Sequence, residues 1–185
     1  MTETKTSRAR VAVLVGSLRA DSLNRRIAEA LCDQAPDGVV LDILDGLAAV
    51  PFYDETLDAD AVPEAAAALR ARVAEADAVL AVTPEYNGTM PAVLNNAIDW
   101  LSRPYGAGAI TGKAFGVIGA TPTPYGGKWA HADAQRSAGI AGAAVVAEAV
   151  VSQSALEVDV VADAEVLARF QAVVDALVAY RPVAA

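Results

Sequence analysis

The 185-residue sequence contains one cysteine, Cys32, and one histidine, His131. An intrachain disulfide cannot form, and zinc sites built on several cysteines are excluded. Basic residues are scarce: 14 Lys and Arg stand against 23 Asp and Glu, a formal net charge of −9. Such a surface repels polyanions, which argues against nucleic acid and an anionic membrane as partners. A small phosphorylated ligand stays compatible, because a local cluster of donors can outweigh the global field. No apolar run approaches the ~18–20 residues of a transmembrane helix. The longest candidate, Ile140 to Val151, is short and carries Glu148. Met1 to Arg10 is polar and lacks an apolar h-region, so no signal peptide is expected and a cytoplasmic location is. The Gly-x-Gly-x-x-Gly fingerprint, the Gly-Lys-Ser/Thr of a P-loop and the Gly-x-Ser-x-Gly nucleophile elbow are all missing.

Apolar residues make up 55% and charged residues 20%, which excludes a disordered chain. Alanine supplies 43 of the residues, so the core is less bulky than the percentage implies. The length fits one domain, and folding would bury about 70% of the unfolded surface. We expect residues 1–9 to form a flexible tail and residues 10–182 to form that domain.

Short apolar runs alternate with helical patterns. Arg10–Gly16, Val39–Leu44, Asp77–Thr83, Lys113–Ala120 and Ala143–Ser152 read as strands buried on both faces. Ser22–Gln34 has Leu23, Ile27, Ala30 and Leu31 at helical spacing, with Asp21 or Ser22 as N-cap. Pro63 and Pro91 suit the first turns of two more helices. A fourth helix follows Gly127, and Val166 to Val178 carry the apolar stripe of a fifth. Asp45 to Asp60 reads as a long loop. Five strands alternating with five helices predict an α/β fold, a parallel sheet covered on both faces. Ligands of such sheets bind at the carboxyl ends of the strands.

Three loops lie at that edge. The first, Gly16-Ser-Leu-Arg-Ala-Asp-Ser-Leu-Asn24, offers hydroxyls, a guanidinium, an amide and the free N–H groups of a helix start. That donor set suits a phosphate, although an ordinary N-cap with a solvated Arg19 reads the same way. The second, Thr83-Pro-Glu-Tyr-Asn-Gly-Thr-Met-Pro91, has a turn at Asn87-Gly88 between stiffening prolines. It could present backbone amides and Tyr86 to a planar ring, or be a plain turn. The third, Thr121-Pro-Thr-Pro-Tyr-Gly-Gly127, ends in paired glycines that allow close backbone approach.

Together these stretches, with Leu94-Asn-Asn-Ala-Ile-Asp-Trp-Leu-Ser-Arg-Pro104, resemble the NAD(P)H-dependent FMN reductases. This flavodoxin-like family includes quinone, chromate and azo-dye reductases. The resemblance runs from about Arg10 to Val151. It implies a three-layer sandwich whose five-stranded parallel sheet has the order 2-1-3-4-5, with FMN at the strand ends. Ser17, Arg19, Ser22 and Asn24 match the phosphate loop. Pro84, Glu85, Tyr86, Asn87 and Gly88 match the loop that holds the isoalloxazine ring, Glu85 and Asn87 acting largely through backbone groups. Thr121, Gly126 and Gly127 fall where the third flavin-contacting loop begins. Here the sequence departs from the family, which is Ser- and Gly-rich rather than proline-dense at this point. NADPH or NADH is implied as co-substrate and a small molecule as electron acceptor. A homodimer or homotetramer is implied too, with the helix bearing Trp100 at the contact.

No residue is expected to act as catalytic acid or base, because the flavin carries the chemistry. No metal is expected, and the acidic residues Asp54, Glu55, Asp58 and Asp60 read as a solvated loop. His131 is expected to be a surface or packed residue and Cys32 a buried, inert thiol. Trp100 and Trp129 are expected in packing or interface roles. A flavodoxin-type electron carrier, which binds FMN but is not reduced directly by NAD(P)H, is the alternative. A phosphoacceptor receiver is disfavoured, since its strand ends need acidic residues where Gly16 and Thr83 stand.

Overall fold

The computed structural model describes residues 8–181. Most of the expected tail, residues 1–7, and position 182 lie outside that range. Ala9, within the stretch expected as a tail, belongs to the first strand.

Five strands form one parallel sheet in the order β2-β1-β3-β4-β5. They are β1 (Ala9–Val15), β2 (Val39–Ile43), β3 (Ala78–Val82), β4 (Ala114–Thr121) and β5 (Ala144–Ser154). Strand β3 is apolar throughout, and β1 and β4 are so apart from Arg10 and Thr121, because both faces are covered. Val11, Val13 and Val15 of β1 join one apolar cluster, while Ala12 and Leu14 join the other. Helices α1 (Leu23–Asp33) and α6 (Ala164–Ala179) cover the first face; Ile27, Leu31, Phe170 and Val174 are fully enclosed there. Helices α3 (Glu64–Ala74), α4 (Ala92–Leu101) and α5 (Lys128–Ile140) cover the second, around Leu94, Trp100 and Phe115.

The stretch 45–60 is not the plain loop expected. It holds a 3-10 turn, Leu47–Ala49, and a sixth helix, α2 (Glu55–Asp60). Asp54 caps α2 by accepting from the amides of Thr56 and Leu57. Asp58 pairs with Arg70 of α3 at 2.6 Å, and Arg70 also donates to the Trp100 carbonyl at 2.9 Å. The guanidinium holds the Asp58 carboxyl below the usual carboxylate range. These acids organise the segment rather than merely solvate it, and the described residues contain no group of three or more potential metal ligands. Asn96 and Trp100 of α4 fasten the same segment. The Asn96 amide and the Trp100 indole both donate to the Pro51 carbonyl, at 3.0 and 2.8 Å.

Candidate active site

The strand order reverses between β1 and β3, the position at which α/β sheets bind ligands. A crevice of about 440 Å³ opens there. Gly16, Leu18 and Arg19 line it from the first loop, Tyr86 from the second, and Pro91 to Val93 from the start of α4. A second concavity, about 400 Å³ between α4 and α5, lies away from the strand ends.

The first loop has the donors a phosphate needs. Ser22 is the N-cap of α1, its hydroxyl oxygen accepting from Arg25 N at 3.2 Å. Among the described residues, no acceptor takes the amides of Ser17, Leu18, Arg19, Ala20 or Asp21. These five donors precede a helix N-terminus, where the helix dipole favours an anion. Arg19 is exposed and forks onto Asp21, with both Nε and Nη2 donating at 3.1 and 3.0 Å.

Asn24 differs from expectation. It is buried, donating to the Ala120 carbonyl at 3.0 Å and accepting from the Ala120 amide at 2.9 Å. The reason lies in the sheet. Thr83 N donates to Ile118 O as the last β3–β4 rung, and the chain then turns away into the second loop, leaving Ala120 without a strand partner on that side. Asn24 supplies the missing partner to the next rung of β4. It anchors the first loop from below, with both polar atoms of its side chain taken by Ala120.

The second loop is a tight hairpin. Tyr86 and Thr89 exchange both backbone hydrogen bonds at 3.1 Å, with Asn87 at φ 52° and Gly88 at φ 74°. Such left-handed pairs favour Asn-Gly. Tyr86 is half exposed at the crevice edge. Glu85 acts through its side chain as well as its backbone position: Oε2 accepts from the amides of Trp129 at 3.0 Å and Ala130 at 3.1 Å. Gly127 caps α5 without a side chain, so Glu85 supplies the cap from another loop. The Thr89 hydroxyl adds a second tie by donating to Asp133. That bond and Arg136 hold the Asp133 carboxyl below its ordinary range.

In the third loop Thr121 is buried, with its hydroxyl 2.9 Å from that of Thr123. The close approach allowed by Gly126 is to β5 itself. A Cβ there would stand 2.8 Å from the backbone of Ser152 and Gln153. Gly127, at φ 89°, turns the chain into α5.

His131 is enclosed, not superficial. Its Nε2 lies 3.2 Å from the Thr83 carbonyl and its Nδ1 2.7 Å from the Ser152 hydroxyl. A carbonyl only accepts, so Nε2 carries the proton and the Ser152 hydroxyl donates to Nδ1. Burial pushes its pKa below the ordinary histidine value. His131 thus ties the ends of β3 and β5 to α5. Cys32 is half-buried rather than fully enclosed, its thiol directed to the Leu41 carbonyl and its pKa raised by burial. Trp100 is buried, whereas Trp129 is substantially exposed.

Among curated proteins, the chain is similar to a 2-hydroxy-1,4-benzoquinone reductase of Burkholderia sp and a quinone reductase of Pseudomonas putida. Each is 46% identical over 117 residues, covering 60% and 63% of this chain respectively. The matches span 63% and 62% of those relatives' own lengths, just under two thirds. Among solved structures it is similar to FerB, a flavoenzyme NAD(P)H:(acceptor) oxidoreductase from Paracoccus denitrificans. That match has a TM-score of 0.79 and 36% identity, over 92% of this chain and 95% of FerB. The family model described as NADPH-dependent FMN reductase matches residues 9–157, and with that match over most of its length the chain belongs to this family.

Proposed function

We propose that the crevice at the ends of β1 and β3 binds FMN and that the protein is an NAD(P)H-dependent oxidoreductase. It passes electrons to a small-molecule acceptor such as a quinone, free flavin, an azo compound or a metal oxyanion. The observation that carries this reading is the run of five amides from Ser17 to Asp21 that no described acceptor takes, at the N-terminus of α1. Their chemistry fits a phosphate monoester. The mostly apolar wall of Leu18, Pro91 and Val93, with Tyr86 at its edge, fits a planar ring system.

FMN held there would supply the hydride- and electron-transfer chemistry. The chain's own residues bind and orient. Ser17, Arg19 and Ser22 join the amides at the phosphate, with Ser22 keeping its hydroxyl hydrogen free to donate. Pro84 to Gly88 set one edge of the ring, and Glu85 fixes that loop against α5. Thr121, Gly126 and Gly127 bound the site on its third side. Asn24 and His131 hold the floor. With a quinone as acceptor the overall reaction balances as NAD(P)H plus one proton plus quinone, giving NAD(P)⁺ and hydroquinone.

We infer further that the protein works as a homodimer or homotetramer in the cytoplasm. The described residues contain no helix long and apolar enough to cross a membrane, which agrees with that location.

An anaerobic absorbance spectrum of the FMN-loaded protein, before and after NADPH, tests the reading. The expected result is rapid loss of the oxidised-flavin band near ~450 nm. Persistence of the band with both NADPH and NADH would overturn the reductase and favour the electron carrier. Failure to retain FMN would overturn both.

A further inference from the structure

Beside the crevice stands a group of side chains that packing does not explain. Tyr125 and Trp129 remain 51% and 44% exposed, although their ring centroids lie 4.7 Å apart with planes tilted by 54°. Lys128 Nζ sits over both rings, 5.1 Å from the Tyr125 centroid and 4.6 Å from that of Trp129. Each element is locally unfavourable. Two large aromatics stay in water, and a cation occupies the first position of α5, the positive end of the helix dipole. Lys128 forms no salt bridge among the described residues. Lys113, by contrast, is turned onto the carbonyls of Ala74 and Ala76. The cluster adjoins the ring-binding loop, because Trp129 N donates to Glu85, the neighbour of Tyr86 in sequence. That bond also engages the Glu85 carboxylate with α5.

We propose that Tyr125, Lys128 and Trp129 form a subsite for a planar aromatic ring that carries a negative charge. The two tilted rings supply a stacking surface, and the ammonium, desolvated on one side by them, supplies the charge. This inference rests on the oxidoreductase reading and narrows its substrate class. Two reactants share the chemistry: an anionic quinone, and the adenine and phosphate end of the nucleotide donor.

The test compares wild type with Lys128→Gln, which keeps much of the stem and removes the charge, and with Trp129→Leu. The acceptors are 1,4-naphthoquinone-2-sulfonate and the neutral 2-methyl-1,4-naphthoquinone; the donors are NADPH and NADH. Lys128→Gln is expected to raise KM for the sulfonate about fivefold relative to its effect on the neutral quinone. Trp129→Leu is expected to raise KM for both quinones. If the Lys128→Gln shift falls on NADPH relative to NADH instead, the subsite stands and its occupant is the nucleotide. Equal effects on all four reactants would overturn it, as would a change in oligomeric mass with the KM ratios unmoved. Calorimetric titration of anthraquinone-2-sulfonate without NAD(P)H separates the two layers. Binding weakened by Lys128→Gln supports the subsite even if neither quinone is reduced. No binding to wild type overturns it while leaving quinone reduction intact.

Discussion

One carboxylate oxygen of Glu85 accepts the amide of Trp129 at 3.0 Å and that of Ala130 at 3.1 Å, so a loop after β3 caps a helix that follows β4. Two candidate ligand-binding loops are thereby fastened into one unit. Glu85→Ala should cost about 1–2 kcal/mol of stability, the usual worth of a lost cap. Glu85→Gln should cost about 0.5 kcal/mol, since the amide oxygen still accepts but the charge facing the dipole is gone. Urea denaturation of the two variants measures both values. Equal stability of Glu85→Ala and wild type would remove the capping role.

Asn24→Ala should be among the most destabilising polar substitutions in the chain. It strands a buried N–H and a buried C=O of Ala120, each worth about 1–3 kcal/mol. A loss of about 2–4 kcal/mol is expected on that basis. Asn24→Asp should not rescue it, because a carboxylate would face the Ala120 carbonyl. The midpoints of chemical denaturation decide, and a loss below about 1 kcal/mol would place the amide outside the sheet's hydrogen bonding.

Arg19 and Asp21 form an exposed ion pair at the first loop. If the guanidinium turns to a phosphate, Arg19→Ala should weaken FMN binding by about 1.5–3 kcal/mol. Asp21→Asn should tighten it by a few tenths of a kcal/mol to about 1, by freeing the guanidinium and removing a like charge. Quenching of FMN fluorescence on binding reports both constants. An unchanged constant in Arg19→Ala would remove this residue from the site.

His131 gives a pH dependence whose sign follows from its surroundings. Burial lowers its pKa in the folded state, so the unfolded chain takes up the proton first. Stability from this residue is therefore complete above the unfolded histidine value near ~6.5 and is lost as pH falls from there toward the folded value. The lowered carboxyls of Asp58 and Asp133 act only further into the acid range. His131→Gln should flatten the decline between about pH 7.5 and about pH 5.5, as followed by urea midpoints. An identical decline in the variant would assign it elsewhere.

Gly119→Ala should be severely destabilising. A Cβ there would stand 2.8 Å from Asn24 Oδ1 and 3.0 Å from His131 Nε2, with the Thr83 carbonyl closer still. Backbone cannot yield as a flexible side chain can, so a cost of about 3 kcal/mol or more is expected. Thermal unfolding with FMN omitted checks this independently of activity.

The sheet and most helices were legible because strands enclosed on both faces read as unbroken apolar runs, and α1 and α6 carry apolar stripes. Helix α2 was not. Glu55 to Asp60 has no buried residue, and its anchor, the Asp58–Arg70 pair, joins positions 12 apart. The same limit governs the site. The three loops could be located and ordered from their residue types. The destinations of Asn24, Glu85 and His131 could not, because their partners lie 96, 44 and 48 positions away. One signal was present: Gly127 opens α5 without a capping side chain, which calls for a cap from elsewhere.

The Asn24–Ala120 rung also bears on the order in which the protein is made. The amide-rich first loop leaves the ribosome before the strand that anchors it, which is synthesised 96 residues later. A nascent chain ending before β4 holds every residue of that loop and none of its support. Long-range contacts of this kind form late in folding. If the first loop takes a phosphorylated ligand, that ligand would act as a clamp on the finished sheet rather than a template for building it.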